Sequence, residues 1–259
     1  MEKFMIGLAG LKIQVESEYD YIVKMCRDYV IPLLNPDMTV SAAEGKLSAD
    51  GEIGEEFSPA YLESLDIYRA IAEQLPFYGK SVFHGASITF KDQGFLFTAP
   101  SGTGKSTHIN LWKKYLGSRV DIVNGDKPIL SVENGQDGKK VFVYGTPWAG
   151  KEGWQKNRRA LLSGICVLKR GAENRIRRLE PAEGLDFLMR QIYFPRSAGA
   201  APEMLEVLDS ILALVPVWEL ECDISEDAVK CSFEAMAGKK YEEYRAGGPK
   251  FIILRKERI

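Results

Sequence analysis

At 259 residues, 45% of them hydrophobic, the chain is long enough to bury a sizeable core, as one large α/β domain or as a main domain with a smaller lobe. Its 34 Lys and Arg against 36 Asp and Glu leave a net charge of −2, which gives no electrostatic footprint for general nucleic-acid or membrane binding. Cys26, Cys166, Cys222 and Cys231 form no Cys-x-x-Cys pair and read as structural, reduced thiols.

In chain order, residues 4–15 read as an opening strand. The apolar run at its start is too short for a signal sequence and passes into Lys12-Ile13-Gln14-Val15, so a cytoplasmic protein without a membrane span is expected. Ile22, Met25, Cys26 and Tyr29 form an amphipathic stripe on a following helix. Beyond Pro32 and Pro36, Met38-Thr39-Val40 reads as a short strand, residues 46–59 as a polar, acidic surface loop, and residues 60–74 as a helix. Strands are expected near 81–90 and 94–98, then a helix to about Leu116 and a buried strand at Val120-Asp121-Ile122-Val123. The turn Asn134-Gly135-Gln136-Asp137-Gly138 joins 128–132 to 141–144 in a hairpin expected at the sheet edge.

Strands at 163–169 and 175–179 are expected to continue the sheet. Helical stripes follow at Leu185, Leu188, Met189 and Ile192 and at Met204, Val207, Leu208 and Ile211, then a late strand over 215–222 and a last helix from near Ser225. In the Lys/Arg-rich tail from Gly238, Phe251-Ile252-Ile253-Leu254 reads as a strand added to the chain's own sheet, with strand addition to a partner as the alternative.

The chemistry is concentrated in Ala99-Pro100-Ser101-Gly102-Thr103-Gly104-Lys105-Ser106-Thr107. Phosphate-binding loops usually carry glycine at the first position, here Ala99, so the flanks have to support the reading. They do: the apolar run 94–98 leads in, and His108, Leu111, Trp112 and Tyr115 recur at helical spacing behind. Small residues let backbone N–H groups turn inward around phosphate oxygens, and Lys105 can reach the β- and γ-phosphates as a mobile charge. The Ser106 hydroxyl suits magnesium, and the helix opening at Lys105 adds the positive end of its dipole. Ser101, Gly102, Thr103, Gly104, Lys105, Ser106 and Thr107 are therefore the expected nucleotide-binding residues, with ATP and Mg²⁺ as ligands. The competing reading is a Gly/Ser-rich turn before an ordinary helix.

Asp126 follows a buried strand that would deliver it to a carboxyl-end crevice as a magnesium ligand; within Asn124-Gly125-Asp126 it reads equally as a turn aspartate. His84 reads as structural unless a carboxylate partners it, and His108 as packed on its helix face. Residues 144–153 read as an active-site loop, with flexible glycines, aromatic surface from Trp148 and the nearby Trp154, and Lys151 placed to neutralise a transferring phosphoryl group. A solvated basic loop is the alternative, and of Lys151, Arg158 and Arg159 only Lys151 is expected in the site.

His84-Gly85, then Ser101-Gly102-Thr103-Gly104-Lys105-Ser106, then a strand ending near Asp126 together resemble the catalytic domain of HPr kinase/phosphorylase. That domain is similar in fold to the nucleotide core of phosphoenolpyruvate carboxykinase, and the chain looks closest to HPr-kinase-like proteins that accompany peptide-modification clusters. The resemblance covers residues 80–170. It implies an α/β fold with a phosphoenolpyruvate-carboxykinase-like, HPr-kinase-like P-loop core. The expected organisation is an N-terminal α/β lobe over 1–78, a nucleotide-binding domain over 79–237 and a basic tail over 238–259. It also implies ATP-dependent transfer of the γ-phosphate to a hydroxyl, seryl above others, of a peptide, protein or small molecule. No nucleic-acid or membrane partner is expected, and oligomerisation stays open.

In that family two adjacent aspartates follow the loop, the first a general base and the second a metal ligand; here the pair reads Gly125-Asp126. The expected catalytic set is then Lys105, Asp126, His84 and Lys151, with Ser106 and Asp126 holding the metal and a glycine in the base position. Asp126 itself, His84, Glu44 or Glu152 are candidates to replace that base. Gly125 fits equally a nucleotide-dependent binding or scaffold protein with weak or absent catalysis, and Gly125→Asp is expected to separate the two readings by restoring the carboxylate. Decarboxylation as in the carboxykinases lacks a visible metal-binding His/Lys set.

Overall fold

Residues 4–15 belong to two strands, not one: β1 (Glu2–Leu8) and β2 (Leu11–Ser17) pair antiparallel with Leu8 opposite Leu11. Ala9 and Gly10 turn the chain with φ of 50° and 81°, the positive angles of a tight two-residue hairpin, which a continuous apolar run conceals. The computed structural model describes residues 2–42 and 57–247. Most of the expected 46–59 loop, Glu44 and the expected strand at 251–254 lie outside the described residues.

The expected helix around Ile22 is short. α1 (Asp20–Met25) ends at Cys26 and a 3-10 turn over 27–29 continues it, so the apolar stripe spans two elements. β3 (Val30–Ile31) and β4 (Met38–Ser41) complete a four-stranded sheet in the order β3-β1-β2-β4. α2 (Pro59–Gln74) starts where its sequence prescribes: the Ser58 hydroxyl accepts the Tyr61 N–H at 3.3 Å and Pro59 takes the first helical position. Its Ile67 and Ile71 pack with Ile13, Val15 and Val40 of the sheet, in one core cluster with Ile129 of the larger sheet and Trp148 of the loop that follows residue 144.

The larger sheet comprises β5 (Lys80–Val82), β6 (Ala86–Phe90), β7 (Gln93–Thr98), β8 (Val120–Asn124), β9 (Ile129–Gly135), β10 (Gly138–Tyr144), β11 (Arg159–Arg170), β12 (Arg175–Arg178) and β13 (Val217–Cys222). Its order is β5-β9-β10-β11-β7-β6-β8, with β13 alongside the carboxyl half of β11 and β12 beyond it. The expected strand region 81–90 is broken at 83–85, because β5 and β6 pair at opposite ends of the sheet. At Gly85 a Cβ would lie 2.9 Å from Leu96 Cδ1 and 3.0 Å from the Phe97 carbonyl oxygen, so only a glycine fits where the chain crosses. The β9–β10 hairpin is not the edge either, since β5 pairs with Ile129 to Ser131 outside it.

Consecutive residues of β7 point to opposite faces, as the two-residue period requires. Phe95 and Phe97 join Trp112 of α3 (Lys105–Leu116) and, from further along the chain, Phe233 in one core cluster. Leu96 packs on the other face under α4 (Pro181–Met189) and α5 (Ala201–Leu214), which contribute Leu188, Met204 and Ile211. Phe233 belongs to α6 (Glu226–Ala237). The stripe expected at Leu185, Leu188, Met189 and Ile192 is only half buried: Leu185 and Met189 are 41% and 37% exposed. α4 instead lays Gly184 against Leu212 and Val217, which rotates Leu185 outward.

β7, β11 and β13 run parallel, and β8 shares their direction because β6 is antiparallel to both β7 and β8. The carboxyl ends of these strands therefore meet along one edge, where sheets of this kind hold ligands. Among the described residues no helix is long and apolar enough to cross a membrane.

Candidate functional site

β7 ends at Thr98, and residues 99–104 turn back into α3 with Gly102 at φ 75° and Gly104 at φ 124°, conformations that L side chains rarely adopt. A Cβ on either glycine would meet nothing within 4 Å, so both border open space. α3 has Gly104 at its N-cap, no side-chain cap and no acidic residue in its first turn, whereas Ser58 and Ser225 cap α2 and α6. Its first N–H groups are thus left without a side-chain partner, and the positive end of its dipole is uncompensated. Lys105 is 8% exposed, and its ammonium donates to the Ala99 carbonyl at 2.9 Å. Burial lowers its pKa, with the charge of Asp126 pulling the other way. Arg170, at the end of β11, donates through Nε to the Thr103 carbonyl at 3.1 Å and through Nη2 to that of Gly102. Nothing in the linear sequence tied Arg170 to this loop; the parallel pairing of β11 with β7 does.

Across from the loop, β8 ends at the fully buried Asn124. Its Oδ1 accepts the N–H groups of Asp126 at 2.9 Å and Lys127 at 2.7 Å, while its Nδ2 donates to the carbonyl and hydroxyl oxygens of Thr146 at 3.0 and 3.1 Å. This clasp fixes the turn that carries Asp126, and the turn leaves Asp126 at the border of a cleft. The Asp126 carboxylate is 3.1 Å from Lys127 Nζ and 3.4 Å from His84 Nε2. Burial works against its ionisation, but His84 and Lys127 outweigh it and hold the carboxyl below its ordinary value of 3.8. The group is therefore ionised at neutral pH, and what it adds to stability is lost only as the pH falls through that lowered value. His84 Nδ1 lies 3.0 Å from Gln191 Oε1. That contact orients the ring so that its Nε2 faces the Asp126 carboxylate.

His84, Lys105, Ser106, Asp126, Lys151 and Glu152 line one cleft of about 490 Å³, together with Ser101, Gly102, Gly104 and Thr107. Of the residues expected to bind nucleotide, Thr103 alone is absent from this cleft; it borders an adjoining pocket of about 370 Å³ with Leu111, Leu168 and Ile224. The Ser106 hydroxyl and the ionised Asp126 form a hard-oxygen pair suited to a cation that takes its remaining ligands from phosphate and water. Among the described residues no cluster of three or more His, Cys, Asp or Glu offers a complete metal cage.

Gly125 has a structural reason that the sequence does not show. A Cβ there would lie 2.7 Å from the Ala149 carbonyl oxygen, and the Gly125 N–H donates to the Trp154 carbonyl at 2.8 Å. The segment 149–154 lies directly over it, so Gly125→Asp cannot restore a carboxylate without displacing that segment, and the substitution loses its value as a discriminator. Lys151 sits on the exposed turn between Gly150 (φ 77°) and Gly153 (φ 63°) and makes no ion pair among the described residues. Arg158 and Arg159 are committed elsewhere, to Asp121 and Glu133, each at 2.9 Å. Trp148, expected as exposed aromatic surface, is largely buried and donates through Nε1 to the Ser64 carbonyl at 3.1 Å.

His108 packs inside. Its Nε2 lies 3.1 Å from the Ser232 hydroxyl and 3.2 Å from Trp112 Nε1, and burial pushes its pKa down to about 3. An imidazole that stays neutral when folded but protonates near 6.5 when unfolded weakens the fold as the pH drops between those values. We expect wild type to lose on the order of 4 kcal/mol more than His108→Gln between pH 6.5 and 3, read from urea midpoints. All four cysteines are free, and burial raises the Cys26 thiol to about 12 and that of Cys222 to about 11, which keeps both protonated.

No family model and no curated protein matches the chain. Among solved structures it is similar to the HPr(Ser) kinase/phosphatase from Coxiella burnetii, at 10% identity and a TM-score of 0.33, over 61% of this chain and 93% of that one. The likeness is a distant one.

Proposed function

We propose that the chain binds a magnesium nucleoside triphosphate in this cleft and transfers its γ-phosphoryl group to a hydroxyl acceptor. The observation that carries the reading is the opposition, across one cleft at the carboxyl edge of parallel strands, of the uncapped α3 N-terminus with Lys105 and the ionised Asp126. ATP is the donor implied by the resemblance to HPr-kinase-like proteins.

In this reading the N–H groups of residues 102–107 hold phosphate oxygens, and Lys105 leaves the Ala99 carbonyl to reach the β- and γ-phosphates. Mg²⁺ between Ser106 and Asp126 would neutralise charge on those phosphates. The adjoining pocket at Leu111, Leu168 and Ile224 takes the nucleoside. Lys151, unpaired among the described residues, supplies positive charge to the transferred group. As the bond from the acceptor oxygen to phosphorus forms, the bond to the β–γ bridging oxygen breaks and ADP leaves. The acceptor proton passes to His84 Nε2 or Asp126. A loose transition state asks little of that base, whose contribution is typically about 10²–10⁴-fold, so the absence of a carboxylate at position 125 slows transfer without forbidding it.

One observation favours a second reading, a nucleotide-dependent binding protein. The segment over Gly125 also carries Lys151, so a bound nucleotide would order the very loop a partner could recognise. Phosphorus NMR of Mg·ATP with the protein and pools of serine, seryl peptides and small proteins tests the choice. A phosphomonoester signal growing with ADP is expected; intact ATP in a complex that binds it would leave the binder reading.

A further inference from the structure

The phosphate-side cleft opens into a second, larger one. About 590 Å³ in volume, this second cleft runs between α1, α2 and residues 147–151, and it shares Asp126, Gly150 and Lys151 with the first. Its walls are aromatic and apolar: Tyr21 of α1, Tyr61, Leu65 and Tyr68 of α2, and Trp148. Tyr21 meets Tyr61 edge-on at 6.5 Å between ring centroids, and Tyr68 lies 5.4 Å from Trp148. The hydrogen bonds from Trp148 to Ser64 and from the Thr146 hydroxyl to the Lys127 carbonyl, at 3.1 and 2.7 Å, hold the opposing walls. The Tyr68 hydroxyl donates to no partner among the described residues. Burial, and then the charges of Tyr193 and Asp126, raise its pKa, so it remains an O–H donor.

We propose that this second cleft seats the phosphoryl acceptor, and that the acceptor is a serine or threonine within a peptide, flanked by an aromatic or branched apolar residue whose side chain fills the cleft. The inference rests on the phosphotransfer reading above. The volume falls among sites that enclose ligands well above free serine in size, roughly 300–1,000 Å³. Charge argues the same way. Among the described residues the charged side chains in the lining are Asp126, Lys127 and Lys151, and the first two already pair at 3.1 Å. A free amino acid would bring an ammonium group that no unpaired carboxylate of the described lining meets, whereas peptide bonds remove both terminal charges and offer a carbonyl to Tyr68. Tyr21, 40% exposed, and the exposed Gly150 and Lys151 leave the cleft open to solvent, so a chain can enter and leave. At the shared boundary the seryl hydroxyl meets the γ-phosphorus, and its proton has His84 and Asp126 within the same cleft.

The test is a degenerate library of blocked peptides, two random residues on each side of a fixed serine, incubated with Mg·ATP and sequenced in its phosphorylated fraction. Enrichment of Phe, Tyr, Trp, Leu or Ile beside the serine by about tenfold is expected for the full chain. Leu65→Glu is expected to erase that selection and Tyr61→Ala to weaken it, with Mg·ATP affinity unchanged in both. Tyr61 lies near the surface, so it reports even where a buried glutamate disturbs folding. A flat or charge-selective profile overturns the proposal, as does faster phosphorylation of free serine or 2-phenylethanol than of any peptide. Mg·ATP that binds without producing a phosphopeptide also overturns it. Failure of the wild-type chain to bind Mg·ATP removes the phosphotransfer reading itself, which separates the two failures.

Discussion

Lys105→Ala is expected to slow phosphoryl transfer by about 10²–10³-fold, measured as single-turnover formation of ADP, while the urea midpoint stays close to that of wild type. The asymmetry follows from where the side chain sits. Lys105 is a nearly buried ammonium whose pKa burial lowers, and among the described residues its side chain's single hydrogen bond is to the Ala99 carbonyl. Removing it relieves a desolvated charge, so the fold loses little. A bound triphosphate loses the cation inside its cradle, which the backbone N–H groups cannot replace. Lys105→Arg is not a rescue, because a planar guanidinium does not fit the compact space an ammonium fills. Transfer unchanged in Lys105→Ala would remove the loop from the reaction.

Gly125→Asp is expected to lower stability by about 1–3 kcal/mol and to reduce transfer rather than raise it. The Cβ contact of 2.7 Å is with the backbone oxygen of Ala149, which cannot rotate away as a side chain could. Relief has to come from moving residues 149–154, and that segment carries Lys151 and accepts the Gly125 N–H through Trp154. Gly125→Ala separates shape from charge: it is expected to lose as much stability as the aspartate variant in urea denaturation. A Gly125→Asp protein with wild-type stability and faster turnover would show that the segment yields and that the missing carboxylate limits the rate.

The strand, loop and helix around residues 94–116 were legible because each signal is local. An apolar run, small turn residues and a 3.6-residue stripe each report their own segment. The same holds for β8 and for the β9–β10 hairpin. The Ala9-Gly10 turn was not, because it lies within an apolar run and one of its positive-φ residues is an alanine. The break at 83–85 was also hidden: it follows from pairing at two distant places in the sheet and from the close approach of Leu96 to Gly85. Six of the seven loop residues, Asp126 and His84, each singled out along the chain, line one cleft, whereas the pairing of His84 with Asp126 had no signal in the sequence. Asn124 looked like part of a bend, and four hydrogen bonds of its side chain make it the clasp between the 124–127 turn and Thr146. Arg170 and the aromatic cleft needed tertiary structure, since their parts come from β11 and from α1, α2 and residues 147–151, far apart in sequence. Gly125 is the clearest case. In sequence it looked like a lost base, and in the fold it is the only residue type that passes beneath Ala149.

Calorimetric titration of the protein with ATP, ADP, AMP and adenosine, each with and without Mg²⁺, reads the phosphate contribution to binding most directly. Affinity is expected to rise with each added phosphate, and the gain from ADP to ATP should require Mg²⁺ and vanish in Asp126→Asn. Equal affinity for ATP and adenosine, or ATP binding indifferent to Mg²⁺ and to Asp126→Asn, would contradict a phosphate site between residues 101–107 and Asp126.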